Sequence, residues 1–421
     1  MAASDDPAVV RRAQLADLAR AVPLGVLLPL ESSVLVTIAL KHFDAPGLVK
    51  GVVAAANGVG LLATPLITSL ARRWGRPVMV PLAGLSFIGT LGFLAAATGA
   101  LPLYVVGSVV GIAMVNGMYP LMTVSYERNF PPRELGRRVG WGLSVKVLVS
   151  ALAGLAMGEY LNLEPDRWWV VILAGAAASA VLIVLNLRVP SEPLAKVPGV
   201  RNTVWPHFHL LGEDRRLRLT LTAWMLMGFG NLMLLPLRVE YLGNSRYGIN
   251  ADAAKIVVLT VVVPSVVRLL MMPLFGVVFD RLSFFSARIL VNVLFAMYIA
   301  AFFTGTSDVS LVIGSVLLGV GSAGGDLMWS LWVTKFAPVG RTADYMGLHT
   351  FFTGIRAVAA PIAGFAILGH VPLATVALMA AGLMLAASFV LVPEMRAERS
   401  ARALLSTTAT ALQPTTLPGG G

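Results

Sequence analysis

The amino-acid sequence predicts an all-α polytopic membrane protein with about twelve transmembrane helices. Hydrophobic residues make up 57% of its 421 residues and charged residues only 13%, whereas a soluble protein of this length needs more charge on its surface. The apolar residues come in runs about twenty residues long, the length at which an α-helix crosses a hydrocarbon core of ~30 Å. Because these runs do not alternate between apolar and polar positions, they are not typical of the strands of a transmembrane β-barrel.

The apolar runs form two groups of six, separated by a polar and basic stretch that we interpret as a linker. The first half covers residues 1–187, the linker 188–218 and the second half 219–393. The tail, 394–421, is basic and then rich in Ser, Thr and Ala, which predicts disorder. The predicted spans are 15–41, 48–70, 77–98, 102–126, 139–160, 168–187, 219–241, 253–279, 288–305, 309–334, 344–368 and 372–393.

The two halves share a repeated pattern, which indicates an internal pseudo-repeat. Residues 27–31 read Leu-Leu-Pro-Leu-Glu, and residues 234–238 read Leu-Leu-Pro-Leu-Arg. Thr-Pro-Leu at 64–66 is matched at nearly the same offset by Met-Pro-Leu at 272–274. Since each half has an even number of spans, both halves should have the same orientation and be related by an axis along the membrane normal.

Lys and Arg residues are distributed unevenly between the loops. The set that includes the N-terminus, the linker and the C-terminus carries roughly four times as many as the alternate set. Positively charged loops stay in the cytoplasm, so both termini and the linker are predicted to be cytoplasmic, with a plasma (bacterial inner) membrane as the expected location. The net charge of +11 therefore reflects membrane topology, and no nucleic-acid partner is expected.

Several kinds of chemistry are not supported by the sequence. The chain contains no cysteine, which excludes disulfides, thiolate metal sites and cysteine nucleophiles. It also lacks a metal-ligand spacing, a phosphate-binding loop and a nucleophile–base motif. We therefore expect neither an enzyme nor a bound cofactor or metal ion.

The loops that follow the second and the eighth predicted spans carry a recognisable pattern. Residues 276–281 read Gly-Val-Val-Phe-Asp-Arg, and residues 69–76 read Ser-Leu-Ala-Arg-Arg-Trp-Gly-Arg. Together with the six-plus-six arrangement, these loops resemble the major facilitator superfamily of secondary transporters, whose corresponding loop runs Gly-x-x-x-Asp-Arg-x-Gly-Arg-Arg. The first copy departs from that pattern, because its leading glycine is missing and Arg72 stands at the position of the acid.

The resemblance implies that these loops act as a cytoplasmic latch. In the first half, Arg72 would need an acidic partner such as Glu134. Alternatively, the arginines only satisfy the preference for positively charged cytoplasmic loops. The residues assigned to the latch are Arg72, Arg73, Gly75, Arg76, Gly276, Asp280 and Arg281.

Six ionisable residues lie inside the predicted spans, where each costs at least ~2.5–3.5 kcal/mol unless it faces a partner or water. They are Glu31, Lys146, Arg238, Arg268, Asp326 and Arg356. The resemblance implies that spans 1, 2, 4, 5, 7, 8, 10 and 11 line a central cavity, and all six residues lie on these spans. We therefore expect them to act in binding, coupling or gating.

Arg268 and Arg356 are the strongest candidates for contact with a substrate. From its position in its span, each lies about 18 Å from the cytoplasmic end at a rise of 1.5 Å per residue. Guanidinium groups bind carboxylates and phosphates through two hydrogen bonds, which favours an anionic solute. The alternative is that each arginine is neutralised inside the protein, for instance by Asp326. The uncharged candidates, each more often a packing residue, are Asn57, Asn116 and Asn231.

The remaining charged residues are candidates for gating or coupling. Glu31 and Arg238 are predicted to lie in the outer half of the membrane, where an ion pair between them would close the outer side. Alternatively, Glu31 is a protonation site. Asp326 is predicted to take up a proton during transport or to pair with Lys146 and close the inner side.

These observations predict a secondary active transporter that moves a small organic solute, leaning anionic, by alternating access in the lipid bilayer. H⁺ is the expected coupling ion, and a monomer is the expected state. One alternative is a multidrug or amphiphile exporter of the same superfamily. An alternative of another class is a membrane scaffold or sensor that transports nothing and binds a partner through the linker or tail.

Overall fold

The computed structural model describes residues 6–131, 134–194, 208–336 and 342–411. Every secondary-structure element named in this part of the chain is a helix. Eleven helices are long and apolar enough to cross a membrane, and a twelfth span forms if two helices bent by 43° at Ala55 are taken together. The predicted all-α polytopic fold of two six-helix halves is confirmed.

The twelve spanning helices follow one another with short connections, except between the halves. Two of them, α1 and α8, contain a π turn. The twelve spanning helices are α1 (Pro7–Pro29, the π turn Leu30–Val34 and Leu35–Lys41), α2 (Gly47–Ala54 and Ala56–Trp74), α3 (Met79–Ala96), α4 (Leu101–Gly117 and Tyr119–Asn129), α5 (Leu135–Leu163), α6 (Trp169–Arg188), α7 (Arg215–Gly243), α8 (Ala253–Val257, the π turn Val258–Val262 and Val263–Arg281), α9 (Phe284–Phe303), α10 (Asp308–Phe336), α11 (Thr342–Leu368) and α12 (Leu373–Ala411).

The prediction of a disordered tail from residue 394 is wrong for its first part, because α12 continues to Ala411. Residues 394–411 contain no proline and are rich in Ala, Arg, Glu and Leu, which are the strongest helix formers. The rest of the tail, 412–421, and the middle of the linker, 195–207, lie outside the described residues.

Helices α1 and α7 begin, and α6 and α12 end, on the same side of the bundle, which we call the termini face. Asp214 caps α7 there, accepting hydrogen bonds from the Leu217 N–H at 3.0 Å and from the Tyr345 hydroxyl at 2.6 Å. Burial alone would raise the pKa of Asp214, but the hydrogen bonds from Tyr345 and from the N–H groups of Leu217 and Arg216 outweigh it and hold that pKa below its usual value. The start of α11 is thereby attached to the start of α7.

The two π turns meet where the halves touch. The hydroxyl of Thr260, in the π turn of α8, donates to the hydroxyl of Ser33, in the π turn of α1, at 2.8 Å. Both side chains are buried. Single π turns inside α-helices are common at functional sites, and this hydrogen bond connects the two turns across the boundary between the halves.

Glycines allow helices of different halves to approach closely. A Cβ atom at Gly58 of α2 would lie 2.5 Å from the carbonyl carbon of Ala357 in α11. In the same way, a Cβ atom at Gly158 of α5 would lie 3.0 Å from the Cα of Ala254 in α8. Small residues at such crossings let the backbones pack against each other, and they place the charged residues of both halves around one central cavity.

Replacing Gly58 by valine is expected to force α2 and α11 apart and to destabilise the protein. The added side chain meets the backbone of α11, which has no rotamer freedom, and overpacking of this kind costs typically about 1–3 kcal/mol. The measurement is the melting temperature of the purified protein. Gly84→Val is the matched control, because a Cβ atom at Gly84 has no heavy atom within 4 Å. Equal melting temperatures for the two variants would contradict the close approach.

Candidate functional site

The cavity between the halves contains an ion pair on the side of the C-terminal half. The Nη2 atom of Arg268, on α8, pairs with Oδ2 of Asp326, on α10. The pair remains open to solvent, with side chains that are 27% and 40% exposed. The structure therefore supports the alternative in which Asp326 neutralises Arg268, although the arginine still faces the cavity.

Lys146 faces this pair from α5 of the other half. Its Nζ donates to the hydroxyl of Tyr119 at 3.3 Å and lies 5.7 Å from the centre of the Tyr119 ring. It forms no ion pair with a described carboxylate, although its charge acts on Asp326. The predicted ion pair between Lys146 and Asp326 is not formed, because Asp326 is held by Arg268 on the neighbouring helix of its own half.

Glu31 is held inside the N-terminal half by two asparagines. Oε1 accepts a hydrogen bond from the Asn57 amide of α2, and Oε2 accepts one from the Asn116 amide of α4 at 3.1 Å. Glu31 and Asn57 are half-buried, whereas Asn116 is fully buried. The cluster formed by Glu31, Asn57 and Asn116 thus joins α1, α2 and α4. Both asparagines of this cluster were predicted to bind substrate, and of the two only Asn57 is partly accessible.

The predicted outer gate between Glu31 and Arg238 is not formed. Arg238 is only 3% exposed and donates to the carbonyls of Leu235 and Thr260. The Thr260 carbonyl can accept this bond because Pro264, four residues further on, has no N–H to donate to it. Arg238 therefore attaches α7 to α8 inside the C-terminal half.

Arg356 was predicted to contact substrate, but in this conformation it is buried within the C-terminal half. Its side chain is only 4% exposed and donates to the Trp224 carbonyl and to the Thr353 hydroxyl. It points into the C-terminal half because Gly228 of α7 leaves room for the guanidinium. Asn231, also on α7, is half-buried, and its Oδ1 has no hydrogen-bond partner.

The halves are joined at the face opposite the termini by a buried ion pair that the sequence analysis missed. Lys50, near the start of α2, pairs with Glu240, near the end of α7, and both residues are at most 5% exposed. Glu240 also accepts a hydrogen bond from Asn244 at 2.9 Å. Nearby, Lys41 Nζ donates to the Gly243 carbonyl at 2.7 Å. Further hydrogen bonds between the halves lie towards the same face, from Lys41 to Asn250, from Ala253 and Ala254 to Asn162, and from Thr260 to Ser33.

This closure explains the exposure of the cavity residues. Lys146, Arg268 and Asp326 are partly exposed although they lie deep in their helices. Since Lys50 and Glu240 join the halves at the opposite face, we infer that solvent reaches these three residues from the termini face.

Lys50 and Glu240 were missed for identifiable reasons. Lys50 and Glu240 lie within two residues of the ends of the predicted spans 48–70 and 219–241. Neither was therefore among the six charged residues assigned to the interior of the membrane. The sequence nevertheless shows an acid near the end of one span and a base near the start of another. Both of these span ends lie at the face opposite the termini, which indicates a possible ion pair.

The latch assigned from the family resemblance stays a prediction. Gly75 ends α2 in the left-handed conformation with φ of 66°, as glycine commonly does after a helix. Arg73, Arg76 and Arg281 are exposed. The expected partner of Arg72, Glu134, instead pairs with Arg137 and Arg138 in its own helix segment. Of the remaining latch positions, Gly276 lies inside α8, and the side chain of Asp280 is outside the described part.

Two six-helix halves that meet around charged side chains are the architecture of a membrane transporter, not of an enzyme. The chain belongs to the Major Facilitator Superfamily, since the model of that family matches residues 25–352. The family assignment suggested by the loop pattern and the six-plus-six arrangement is confirmed.

Solved structures of transporters share the fold. A mutant of the nucleoside transporter NupG is 16% identical, with a TM-score of 0.73, and the alignment covers 91% of this chain and 99% of that one. A D-xylose-proton symporter is 14% identical (TM-score 0.64, coverage 91% and 96%), and the POT family transporter PepTSo is 12% identical (TM-score 0.72, coverage 94% and 99%). No curated protein matches the sequence. At these identities the similarity shows the fold alone.

Replacing Glu240 by glutamine is expected to weaken the closure at the face opposite the termini. Lys50 would remain as a buried charge without its partner, and breaking a buried pair in this way costs roughly 3–5 kcal/mol. A cysteine placed at the buried Ser33 would be the unique thiol of the chain. We expect a membrane-impermeant thiol reagent, added at the opposite face, to label it at least about tenfold faster when Glu240 is glutamine.

The control for this experiment is Asp308→Asn in the same Ser33→Cys background. Asp308 pairs with Lys255 at 2.6 Å, but both side chains are exposed and belong to the C-terminal half. This variant should label at the parent rate. An unchanged rate in Glu240→Gln would show that the ion pair does not hold the halves together.

Proposed function

We propose that the protein is a proton-coupled secondary transporter of a small organic solute that carries an anionic group. The observation that supports this proposal is the arrangement of Lys146, a cation without a described acidic partner, opposite the Arg268–Asp326 pair in a cavity open to solvent. The two sides of this site belong to different halves, so a solute bound between them would contact both.

The termini face is proposed to be the cytoplasmic one, and the protein to reside in a plasma (bacterial inner) membrane. The excess of Lys and Arg in the loops on this face supports the orientation. With this orientation, the structure is closed towards the outside by Lys50 and Glu240 and open towards the cytoplasm. Opening to the outside would then require the Lys50–Glu240 pair to break.

The charges that face the cavity narrow the class of solute. Arg238 and Arg356 are buried within the C-terminal half and do not contribute. What remains is Lys146 and Arg268 on the basic side, and Glu31 and Asp326 on the acidic side. These charges balance, which favours a solute with one anionic group and other polar groups over a strongly negative one. The hydrogen-bonding groups of Tyr119, Asn57 and Asn231 are available for the rest of the solute.

Proton coupling follows from competition for Arg268. Its guanidinium is engaged by Asp326 when that carboxylate is ionised. A proton that neutralises Asp326 would release Arg268, which could then pair with the anionic group of the solute together with Lys146. Proton and solute would bind together because each unpaired charge at this depth is unfavourable. Transport of one anion with one proton would be electroneutral.

The solutes named for the structural neighbours support a small polar organic solute, although they are uncharged and do not bear on the anionic group. They are nucleosides and D-xylose, the latter moved together with a proton. Both are small polar organic molecules. The cluster of Glu31, Asn57 and Asn116 is proposed to position α1, α2 and α4 and to present one face of the solute site.

The solute can be found by thermal stabilisation, because a ligand that binds the folded protein raises its melting temperature. The informative panel consists of pairs that differ in one group, such as a carboxylic acid and its amide, or a sugar phosphate and the free sugar. Stabilisation by the charged member of a pair is expected. If neutral members stabilise the protein equally well, the solute is not recognised by an anionic group.

Replacing Lys146 by glutamine is expected to weaken binding of that ligand by about 10-fold to 100-fold, since a hydrogen bond to a charged group contributes roughly 1.5–3 kcal/mol. The measurement is the dissociation constant of the purified variant. Lys255→Gln is the matched control, because this lysine is exposed and pairs with Asp308 outside the cavity. Equal affinities of both variants would contradict a role for Lys146 in the site.

Replacing Asp326 by asparagine is expected to separate solute movement from proton movement. The neutral side chain leaves Arg268 permanently available, so exchange of solute across the membrane should continue while uptake driven by a pH gradient is lost. Proteoliposomes with a pH-sensitive dye inside report both processes. Proton movement at the wild-type rate would exclude Asp326 as the coupling residue.

A further inference from the structure

Two arginines are buried around one tryptophan in the C-terminal half, away from the cavity. Arg288, on α9, is 2% exposed, and Arg356, on α11, is 4% exposed. Their guanidinium carbons lie 3.8 Å and 5.6 Å from the centre of the Trp224 ring on α7. Neither arginine forms an ion pair with a described residue. We call Arg288, Arg356, Trp224 and His349 the arginine–tryptophan cluster.

The cluster contains more hydrogen-bond donors than acceptors. The two Nη atoms of Arg288, Nε of Arg356 and Nε1 of Trp224 are all buried and have no hydrogen-bond partner. Each of these atoms carries an N–H group, and arginine has no acceptor atom of its own. His349, whose ring centre is 5.1 Å from that of Trp224, adds a further buried nitrogen without a partner. Buried donors are normally paired, so several unpaired donors in one place indicate a missing acceptor.

The missing acceptor should also carry negative charge. Stacking on the indole stabilises a guanidinium through the negative face of the ring, but it leaves the charge of both arginines uncompensated. Placing a charge in a low-dielectric interior without a counter-charge is strongly unfavourable. A water molecule would satisfy donors and leave the two positive charges, whereas an anion would satisfy both requirements.

We propose that the arginine–tryptophan cluster binds a small monovalent inorganic anion of the size of chloride. The surroundings are too tightly packed for an organic group: a Cβ atom at Gly228 would lie 2.5 Å from the Arg356 guanidinium carbon. The ring of Trp332, on α10, closes the other side at 5.1 Å from the ring centre of His349. The anion would connect α7, α9 and α11 by electrostatic attraction and is distinct from the transported solute.

The test is the melting temperature of the purified full-length protein in gluconate buffer, into which chloride, bromide, nitrate or phosphate is introduced at constant ionic strength. The wild type is expected to gain on the order of 3 °C, saturably, up to about 0.3 M chloride. Arg288→Gln should lose this gain. Arg268→Gln removes an arginine of the solvent-open cavity and should keep the gain in melting temperature. The result is therefore independent of whether the proposal about the transported solute is correct.

Three results would overturn the proposal. The first is a wild-type melting temperature that does not depend on chloride, bromide or nitrate. The second is a response to phosphate alone, which would assign the site to a larger anion or a lipid headgroup. The third is an undiminished chloride response in Arg288→Gln. If Arg288→Gln does not fold, chloride NMR on the wild type decides the question. Saturable line broadening that bromide reverses supports the site, and its absence contradicts it.

Discussion

The cost of an uncompensated charge inside a membrane decides where the polar side chains of this protein lie. Arg268 is compensated by Asp326, Lys50 by Glu240, and Glu31 by two amide groups. Because carboxylates are few, a carboxylate that pairs with one cation is not available to another. Arg268 cannot pair with Asp326 and with an anionic solute at the same time, and this competition is the physical basis of the coupling that we propose. In the arginine–tryptophan cluster, no described carboxylate compensates the two guanidinium charges.

The sequence was sufficient for the fold and for the helices that carry charge. Apolar runs of membrane-spanning length, the positive loops and the internal repeat each depend on averages over many residues, which makes them robust. All six charged residues inside the spans were assigned to the correct helices. Apart from the Arg268–Asp326 pair, which was one of the alternatives, their partners were not assigned correctly, because neighbouring residues on an α-helix point about 100° apart. The residue number gives the depth of a side chain well but its direction only poorly.

Local backbone features account for the particular errors at the site. The π turns in α1 and α8 change the direction of the side chains around Glu31 and Thr260, and no simple pattern in the sequence announces them. Pro264 frees the carbonyl that Arg238 binds, and Gly228 makes the space that Arg356 fills. Both residues were visible in the sequence. Their effect depends on a side chain from another helix, which only the three-dimensional arrangement supplies.

The paired π turns have one further consequence for the transport cycle. A π turn holds one residue more than an α-helical turn, so converting it to α-helix would shift the register by one residue and rotate the adjoining segment by roughly 100°. Glu31 lies within one such turn, and Thr260 within the other. Each helix therefore contains a position where an acid or a hydroxyl could be turned from one neighbour to another without any loss of helical length. Screw-like motion of two helix ends is thus available to this chain in addition to the rocking of its halves.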